Sequence, residues 1–492
     1  MRERLVPIGL AALFLVLGSF ALDLPGVQTD EALFASIFYE PKVPPVPVRV
    51  LGFLFPAMCF PYIGALKSGI YALIWRVFEP SASTVHLPVV VIGALTIYIF
   101  ARLLQRTNQR LWAALLLATD ATYLMTTRSD WGPVALQHLL AMCGVYAGVR
   151  YAQTTHLAWV AAAGFAFGLG FWEKITFLWV LFALGAGVLA TARHLIKPLP
   201  VAVLALFFTI GCYPLIVFNV KTGGSSFEGN AALDRGSVWL KVWSLWLCLG
   251  DVNLFGARKA SALPPIEPIT PIASIVSKVD YAVHPYLPPV TAWLFVASLL
   301  YLPRLFRVPG TRFYLVALLA GYGYMFALKN AGGGPHHIVL LWPLPHLLIA
   351  QLPLRRWMIV AAVAANLLQI NHFYAQFLRR EVSVEWSDAT ANLAARLKDS
   401  PTTYRVLDWG IIDSIYLLNE GRTDLLVDPP LPQDPNWTTY RYVAHTPQLS
   451  VFPIDTAKFT ASGYRLEIEE IIADSAGRPV FLIYRAVAVE GK

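Results

Sequence analysis

Long apolar runs recur along this chain with short polar stretches between them. The first, Leu5 to Leu22, carries no charge and follows Arg2 and Arg4. A run of that length crosses the hydrocarbon of a bilayer, and the arginines before it favour a cytoplasmic amino end. Ten more runs follow, near 86–105, 110–127, 133–152, 157–172, 175–192, 198–219, 288–303, 311–328, 337–352 and 356–373, so the pattern predicts eleven spans. Basic loops alternate with them as the positive-inside bias requires: Arg102 to Arg110, Arg193 with Lys197, Arg304 with Arg307 and Arg312, and Arg355 with Arg356 all fall inside. The carboxyl end then lies outside. Residues 62–78 are also apolar, but Lys67, Arg76 and Glu79 make them a poor mid-bilayer helix. They read as an amphipathic segment in the interface.

Two stretches break this rhythm. Residues 32–85 hold Pro41, Pro44, Pro45, Pro47, Pro56 and Pro61, which interrupt any span before about residue 62. Residues 220–287 open on Gly223 and Gly224, carry an aromatic stretch from Val238 to Phe255, and close on a proline-rich run at 264–271. Both read as outer loops, 23–85 and 220–287. Trp239, Trp243 and Trp246 share one helical face and suit an interfacial belt. Beyond Phe377 the pattern shortens to strand length. Val384 to Leu397 and Ile411 to Leu418 predict helices; Tyr404 to Leu407, Tyr440 to His445, Arg465 to Ile472 and Val480 to Arg485 predict strands. The chain therefore divides into a membrane domain, 1–379, and a small extracytoplasmic α/β domain, 380–492.

Composition agrees. Of 492 residues, 57% are hydrophobic and only 14% are charged, which a water-soluble chain of this size would not tolerate. The first segment lacks a small-residue cleavage pattern and more spans follow it, so it reads as a retained span and not a signal peptide. The net charge of +8 resides mostly in loops that set topology, and does not point to nucleic acid. Cys59, Cys143, Cys212 and Cys248 have no metal-ligand spacing; Cys59 and Cys248 share the predicted outer side, but buried thiols are the commoner outcome.

The unusual polar clusters share that outer side. Asp30 and Glu31 follow the first span, Arg128 to Asp130 end the third, Glu173 and Lys174 interrupt an apolar run, and His336 and His337 enter a span after Gly332, Gly333, Gly334 and Pro335. An adjacent carboxylate pair serves as a general base, a cation site or a solvated loop; position alone leaves these open. Glu173 and Lys174 read either as an ion pair at a hairpin or as an acid beside a phosphate-binding lysine. Asp120 falls near mid-span, deeper than a working acid belongs. His336 and His337 are adjacent and point apart on a helix, which argues against a two-histidine metal site. The appended domain has no glycine-rich phosphate loop and no catalytic triad.

Taken together, Asp30-Glu31 after the first span, Pro61-Tyr62 to Lys67 before an apolar helix, Thr127-Arg128-Ser129-Asp130, and Gly168-Leu169-Gly170 followed by Glu173-Lys174-Ile175-Thr176 resemble the polyprenyl-phosphate-sugar-dependent glycosyltransferases of the GT-C superfamily. The likeness is to their protein O-mannosyltransferase and aminoarabinose transferase branch, and it covers residues 1–220. One departure is visible: the usual Pro-Pro start of the juxtamembrane element is Phe60-Pro61-Tyr62 here. The resemblance implies a GT-C fold in a bacterial inner (plasma) membrane. It also implies inverting transfer of one sugar from a polyprenyl phosphate to a protein, lipid or glycan acceptor on the outer face. Asp30 is then the expected base, with Glu31 orienting it. Lys174, Arg128, His336, His337, Asp130 and Lys67 are the expected donor-phosphate or acceptor contacts, with no metal and no cofactor. A membrane transporter or flippase, and a non-catalytic subunit that binds lipid-linked sugar, are the alternatives; a transporter would place its charges at mid-bilayer on broken helices of two repeated halves, and no halves match.

Overall fold

The computed structural model describes residues 2–39, 46–50, 53–130, 132–228, 232–233, 237–250, 265–267, 270–307, 310–329, 331–332, 334–381, 386–426, 438–452 and 454–489. Helices form the first four-fifths of the chain and a five-stranded sheet lies in the last fifth. Large apolar side chains such as Leu95, Phe182, Leu206, Leu319 and Val360 stand exposed on those helices. Such a surface is compatible with lipid and not with water. The protein is an integral membrane protein.

Among the described residues three helical runs are long and apolar enough to cross a membrane: Ala82–Arg106, Pro271–Leu300 and Arg356–Leu378. Pro198–Gly211 and Tyr213–Thr222, bent by 68° at Cys212, make a fourth. Several expected spans are shorter or broken, and each break has a local cause. The run at 110–127 is two helices, Trp112–Ala118 and Ala121–Arg128. Asp120 lies between them, its carboxylate accepting from the Tyr123 amide at 2.8 Å as an N-cap, while its second oxygen meets His346 Nε2 at 2.9 Å. The expected span 337–352 is broken into Pro335–Ile338, a 3-10 turn and Leu344–Ile349, because Pro343 and Pro345 remove backbone donors.

The two stretches expected as outer loops are more structured than the sequence suggested. Residues 220–287 contain the helices Val238–Leu249 and Pro271–Val283, and the second runs on toward Val290–Leu300, so that stretch is not loop to 287. Residues 251–255 of the expected aromatic helix lie outside the described residues. Pro47–Val50 pairs with Phe53–Pro56, and Met58–Phe60 with Ile63–Gly64, as two antiparallel hairpins ahead of the helix Leu66–Ile74. Lys67, Ser68 and Tyr71 of that helix are buried, so its polar face turns into the protein and not to water. No disulfide joins Cys59 to Cys248.

Tight helix contacts rest on small residues. A Cβ at Gly164 would come within 2.5 Å of the Leu204 carbonyl, and one at Gly168 within 2.2 Å of the Phe208 carbonyl. These glycines let Leu157–Glu173 lie directly on Pro198–Gly211.

The C-terminal sheet runs Leu425–Leu426, Tyr404–Val406, Arg441–His445, Pro479–Ala488, Tyr464–Ala473. Its first three strands are parallel and the last two pairings antiparallel. Ala389–Leu397 and Ile412–Leu418 pack on it through Leu393, Leu397 and Ile415, all fully buried. The expected helix from Val384 begins at Ala389; residues 382–385 lie outside the described residues.

Candidate active site

Asp30 and Glu31 occupy the first turn of the short helix Thr29–Ser36. Gln28 caps that helix: its side-chain oxygen accepts from the amides of Asp30 at 2.7 Å and Glu31 at 3.3 Å, and Glu31 Oε2 accepts from the Gln28 amide at 3.1 Å. This reciprocal capping satisfies the orphan donors of the helix start and fixes both acids. Their surroundings differ. Glu31 is buried, with His86 Nε2 at 3.4 Å from Oε2 and His86 Nδ1 at 2.7 Å from the Leu22 carbonyl. Asp30 keeps some exposure, and burial pushes its carboxyl up to about 6, against the lowering influence of Gln28 and of the Lys174 charge.

Beside this turn lies a buried charged network. Lys67 Nζ pairs with Asp130 Oδ2 at 2.9 Å and donates to the Asp130 carbonyl at 3.0 Å. Asp130 Oδ1 accepts from the amides of Val134 at 2.8 Å and Ala135 at 3.2 Å, at the start of the helix Val134–Thr154. A carboxylate there meets the positive end of the helix dipole. Glu173 Oε2 accepts from the Lys67 amide at 3.1 Å, so three distant parts of the chain converge on Lys67.

Lys174 breaks out of this network. It ends the helix Leu157–Glu173 in extended conformation, and Ile63 pairs with it as an antiparallel bridge. The Ile175 amide donates to the Tyr62 carbonyl at 3.2 Å, and Gln137 Nε2 to the Lys174 carbonyl at 3.1 Å. Thus the juxtamembrane element and two helices place the lysine. Its side chain lines a cavity of about 380 Å³ with Tyr62, Trp179, Tyr324, His336 and His337. The two imidazoles come from the turn Pro335–Ile338, their ring centroids 4.2 Å apart, and Trp179 meets His337 edge-on at 5.3 Å. One cation, two imidazoles and aromatic walls suit a phosphate on a lipid stem: polar groups bind the head and rings the stem.

Of the residues expected from sequence, the structure brings Lys174, His336 and His337 to one cavity, with Asp30 close enough for its charge to couple to Lys174. Lys67 and Asp130 neutralise each other in the buried network next to it. Arg128 goes elsewhere. It is fully buried, donating to the carbonyls of Phe20 at 2.7 Å, Ala21 and Leu24 and to the Tyr374 hydroxyl at 3.3 Å, so it closes the end of the first helix and does not line the cavity. Four carbonyl and hydroxyl acceptors around one guanidinium explain the difference, since no motif of three or four residues reports which way an arginine turns.

Sequence reasoning missed Gln28, His86 and the aromatic walls. The spacing of Gln28 to Glu31 is that of a capping box and was readable; His86 has no local signal, because it meets Glu31 only after folding. Among the described residues one group could hold a metal: Asp280, His284 and His372 bring ligand atoms within 4.8 Å of one another. Arg379 donates to Asp280 Oδ2 at 2.8 Å and His372 meets Oδ1 at 2.8 Å, so a cation's charge is already supplied there.

Residues 67–218 match the family model described as dolichyl-phosphate-mannose-protein mannosyltransferase. No curated protein sequence matches the chain. Its fold is similar to that of ArnT from Cupriavidus metallidurans, seen in crystals bound to undecaprenyl phosphate (TM-score 0.58, 13% identity) and in the apo state (TM-score 0.58, 14% identity). In each case 96% of this chain aligns with 97% of the other. These findings support the GT-C resemblance read from the motifs; at such identity the structural likeness carries the fold.

Proposed function

We propose that this chain is a GT-C membrane glycosyltransferase that moves one sugar from a polyprenyl phosphate to a hydroxyl acceptor on the outer face of the membrane, with inversion. The observation that carries this reading is the placement of a partly exposed acid, Asp30, beside a cavity that holds Lys174 and two imidazoles. The undecaprenyl phosphate bound to the structurally similar ArnT supports the donor class.

The chemistry is a single displacement. The acceptor oxygen attacks the anomeric carbon while the bond from that carbon to the phosphate oxygen breaks, and the phosphate leaves with the electron pair. Asp30 takes the hydroxyl proton, as a carboxylate within hydrogen-bond reach can. Lys174 stabilises the charge that grows on the leaving phosphate, and His336 and His337 add donors to it. Glu31 holds the turn through Gln28 and His86. Lys67 and Asp130 act as scaffold for Lys174. The orientation follows the basic-loop pattern, with the amino end cytoplasmic and residues 380–492 outside, in a bacterial plasma membrane.

The test is transfer of labelled sugar from polyprenyl-phosphate donors in membranes holding the native chain or Asp30→Asn at equal protein level. Loss of about 10²–10⁴-fold in the variant is the size expected for removing a general base. In sealed vesicles, sugar movement without a new glycosidic bond would instead support a transporter. Donor binding with full transfer by Asp30→Asn would remove Asp30 from the role of base.

A further inference from the structure

We infer that the C-terminal domain is part of the active site and that Asp413 is a positioning residue, holding by a hydrogen bond to Thr29 the turn that presents Asp30. This rests on the transferase reading above and extends it to a domain that no family match covers.

The contacts bracket the acid. Asp413 lies in the first turn of Ile412–Leu418, and its Oδ2 accepts from Thr29 Oγ1 at 3.0 Å, one residue before Asp30. Ser414 Oγ donates to the Val27 carbonyl at 3.3 Å. Leu417 is fully buried against Val27, Ala32 and Ala35 of the same turn and helix. The backbones approach closely on both sides. The Gly26 amide donates to the Trp386 carbonyl at 3.0 Å, and a Cβ at Gly26 would lie 2.1 Å from the Ser387 carbonyl. After the helix, a Cβ at Gly421 would lie 2.5 Å from the Tyr39 carbonyl. A domain resting loosely on the membrane surface would not need glycine at both contact points. Here the domain grips the acid-bearing helix at its start, along one face and past its end.

A carboxylate at 413 does more than accept one hydrogen bond, which an asparagine oxygen would do as well. It adds a negative charge near Asp30, opposing the influence of Lys174. The groups that face Asp30 are Gln28 and Glu31 from its own turn, Lys174, Asp413 and Tyr62. Of the helices packed on it, His86 engages Glu31 and Lys67 engages Asp130. Asp413 and Lys174 thus act on Asp30 in opposite senses: one holds its proton, the other releases it.

The experiment uses the full chain in nanodiscs. Carbodiimide labelling of Asp30, read by peptide mass spectrometry across pH, follows its protonation without any need for turnover; sugar transfer is measured in parallel. Asp413→Asn keeps the shape of the side chain and removes the charge, so its labelling midpoint moves down by roughly half a pH unit, the size of one partly solvated charge pair. Thr29→Val keeps the charge and removes the hydrogen bond, so its midpoint stays and kcat falls with KM little changed. A native kcat in Thr29→Val, together with an unchanged Asp30 midpoint in Asp413→Asn, would overturn the inference and leave a packing contact. A native chain that transfers no sugar would defeat the transferase reading, while the labelling curves would still decide the link between Asp413 and Asp30.

Discussion

Lys67 Nζ lies 2.9 Å from Asp130 Oδ2, with 2% and 1% of the two side chains exposed. The pair joins the juxtamembrane helix to the turn that ends Ala121–Arg128, and Glu173 ties in through the Lys67 amide. Removing one partner of such a buried pair strands the other charge, at a cost of about 3–5 kcal/mol. Lys67→Met and Asp130→Asn should each lower the thermal midpoint in detergent markedly. The double variant Lys67→Met/Asp130→Asn should recover much of the loss, because neither charge is then left unpaired and the asparagine oxygen still accepts from the Val134 and Ala135 amides. A double variant less stable than both singles would show that each side chain has a separate role.

Asp30 gives a pH prediction in two parts. Its carboxyl is raised from 3.8 to about 6, chiefly by burial, and in the proposed role of base it works only when ionised. Transfer should therefore rise as pH increases through about 6 and level off above it. The sign for stability is opposite. In the unfolded chain the group ionises near 3.8 and in the folded chain near 6, so the folded state holds the proton more tightly, and raising pH through this window destabilises it. Asp30→Asn should raise the thermal midpoint above pH 7 and leave it nearly unchanged near pH 4. Melting curves of both proteins at the two pH values check this.

The legible parts of the fold were those with local signals. Apolar runs shortened to strand length located the strands Tyr404–Val406, Arg441–His445, Tyr464–Ala473 and Pro479–Ala488 to within a few residues. Breaks inside apolar runs were harder to read. Asp120 looked like a misplaced acid in one span, yet it is the N-cap of a second helix, its remaining oxygen held by His346 from 226 residues away. At the site, Lys174 was readable because a charge inside an apolar run demands a reason. Arg128, a charge at a span end, has a structural answer, three backbone carbonyls that follow the first helix. Asp413 carried none, since an acid in a solvated domain is unremarkable until the fold sets it beside Thr29.

Lys174 should dominate donor affinity. A charge-assisted hydrogen bond is worth about 1.5–3 kcal/mol, which corresponds to roughly 10–150-fold in Kd. Lys174→Met should weaken binding of polyprenyl phosphate by that factor and flatten its salt dependence. His336→Ala and His337→Ala, each removing one neutral donor, should cost about tenfold or less. Equal losses from all three variants would argue that the cavity's shape, and not the lysine charge, holds the phosphate.

Gly64 tests how the juxtamembrane element reaches Lys174. A Cβ there would lie 2.1 Å from the Trp172 carbonyl, two residues before the lysine, and that neighbour is backbone that cannot swing aside. Gly64→Ala must therefore lift Ile63–Gly64 off the end of Leu157–Glu173. The lift would break the Ile63 bridge to Lys174 and the bond from the Ile175 amide to the Tyr62 carbonyl. Overpacking of this kind costs about 1–3 kcal/mol. Gly148→Ala is the control: nothing lies within 4 Å of its Cβ, and it sits inside the helix Val134–Thr154, where alanine is favoured by up to about 1 kcal/mol. The expected pattern is a lower melting temperature with weaker polyprenyl-phosphate binding for Gly64→Ala, and unchanged binding with equal or higher stability for Gly148→Ala. Gly64→Ala with native donor affinity would mean that Lys174 holds its place without the element, and the cavity would then owe its geometry to Gln137 and the helix end alone.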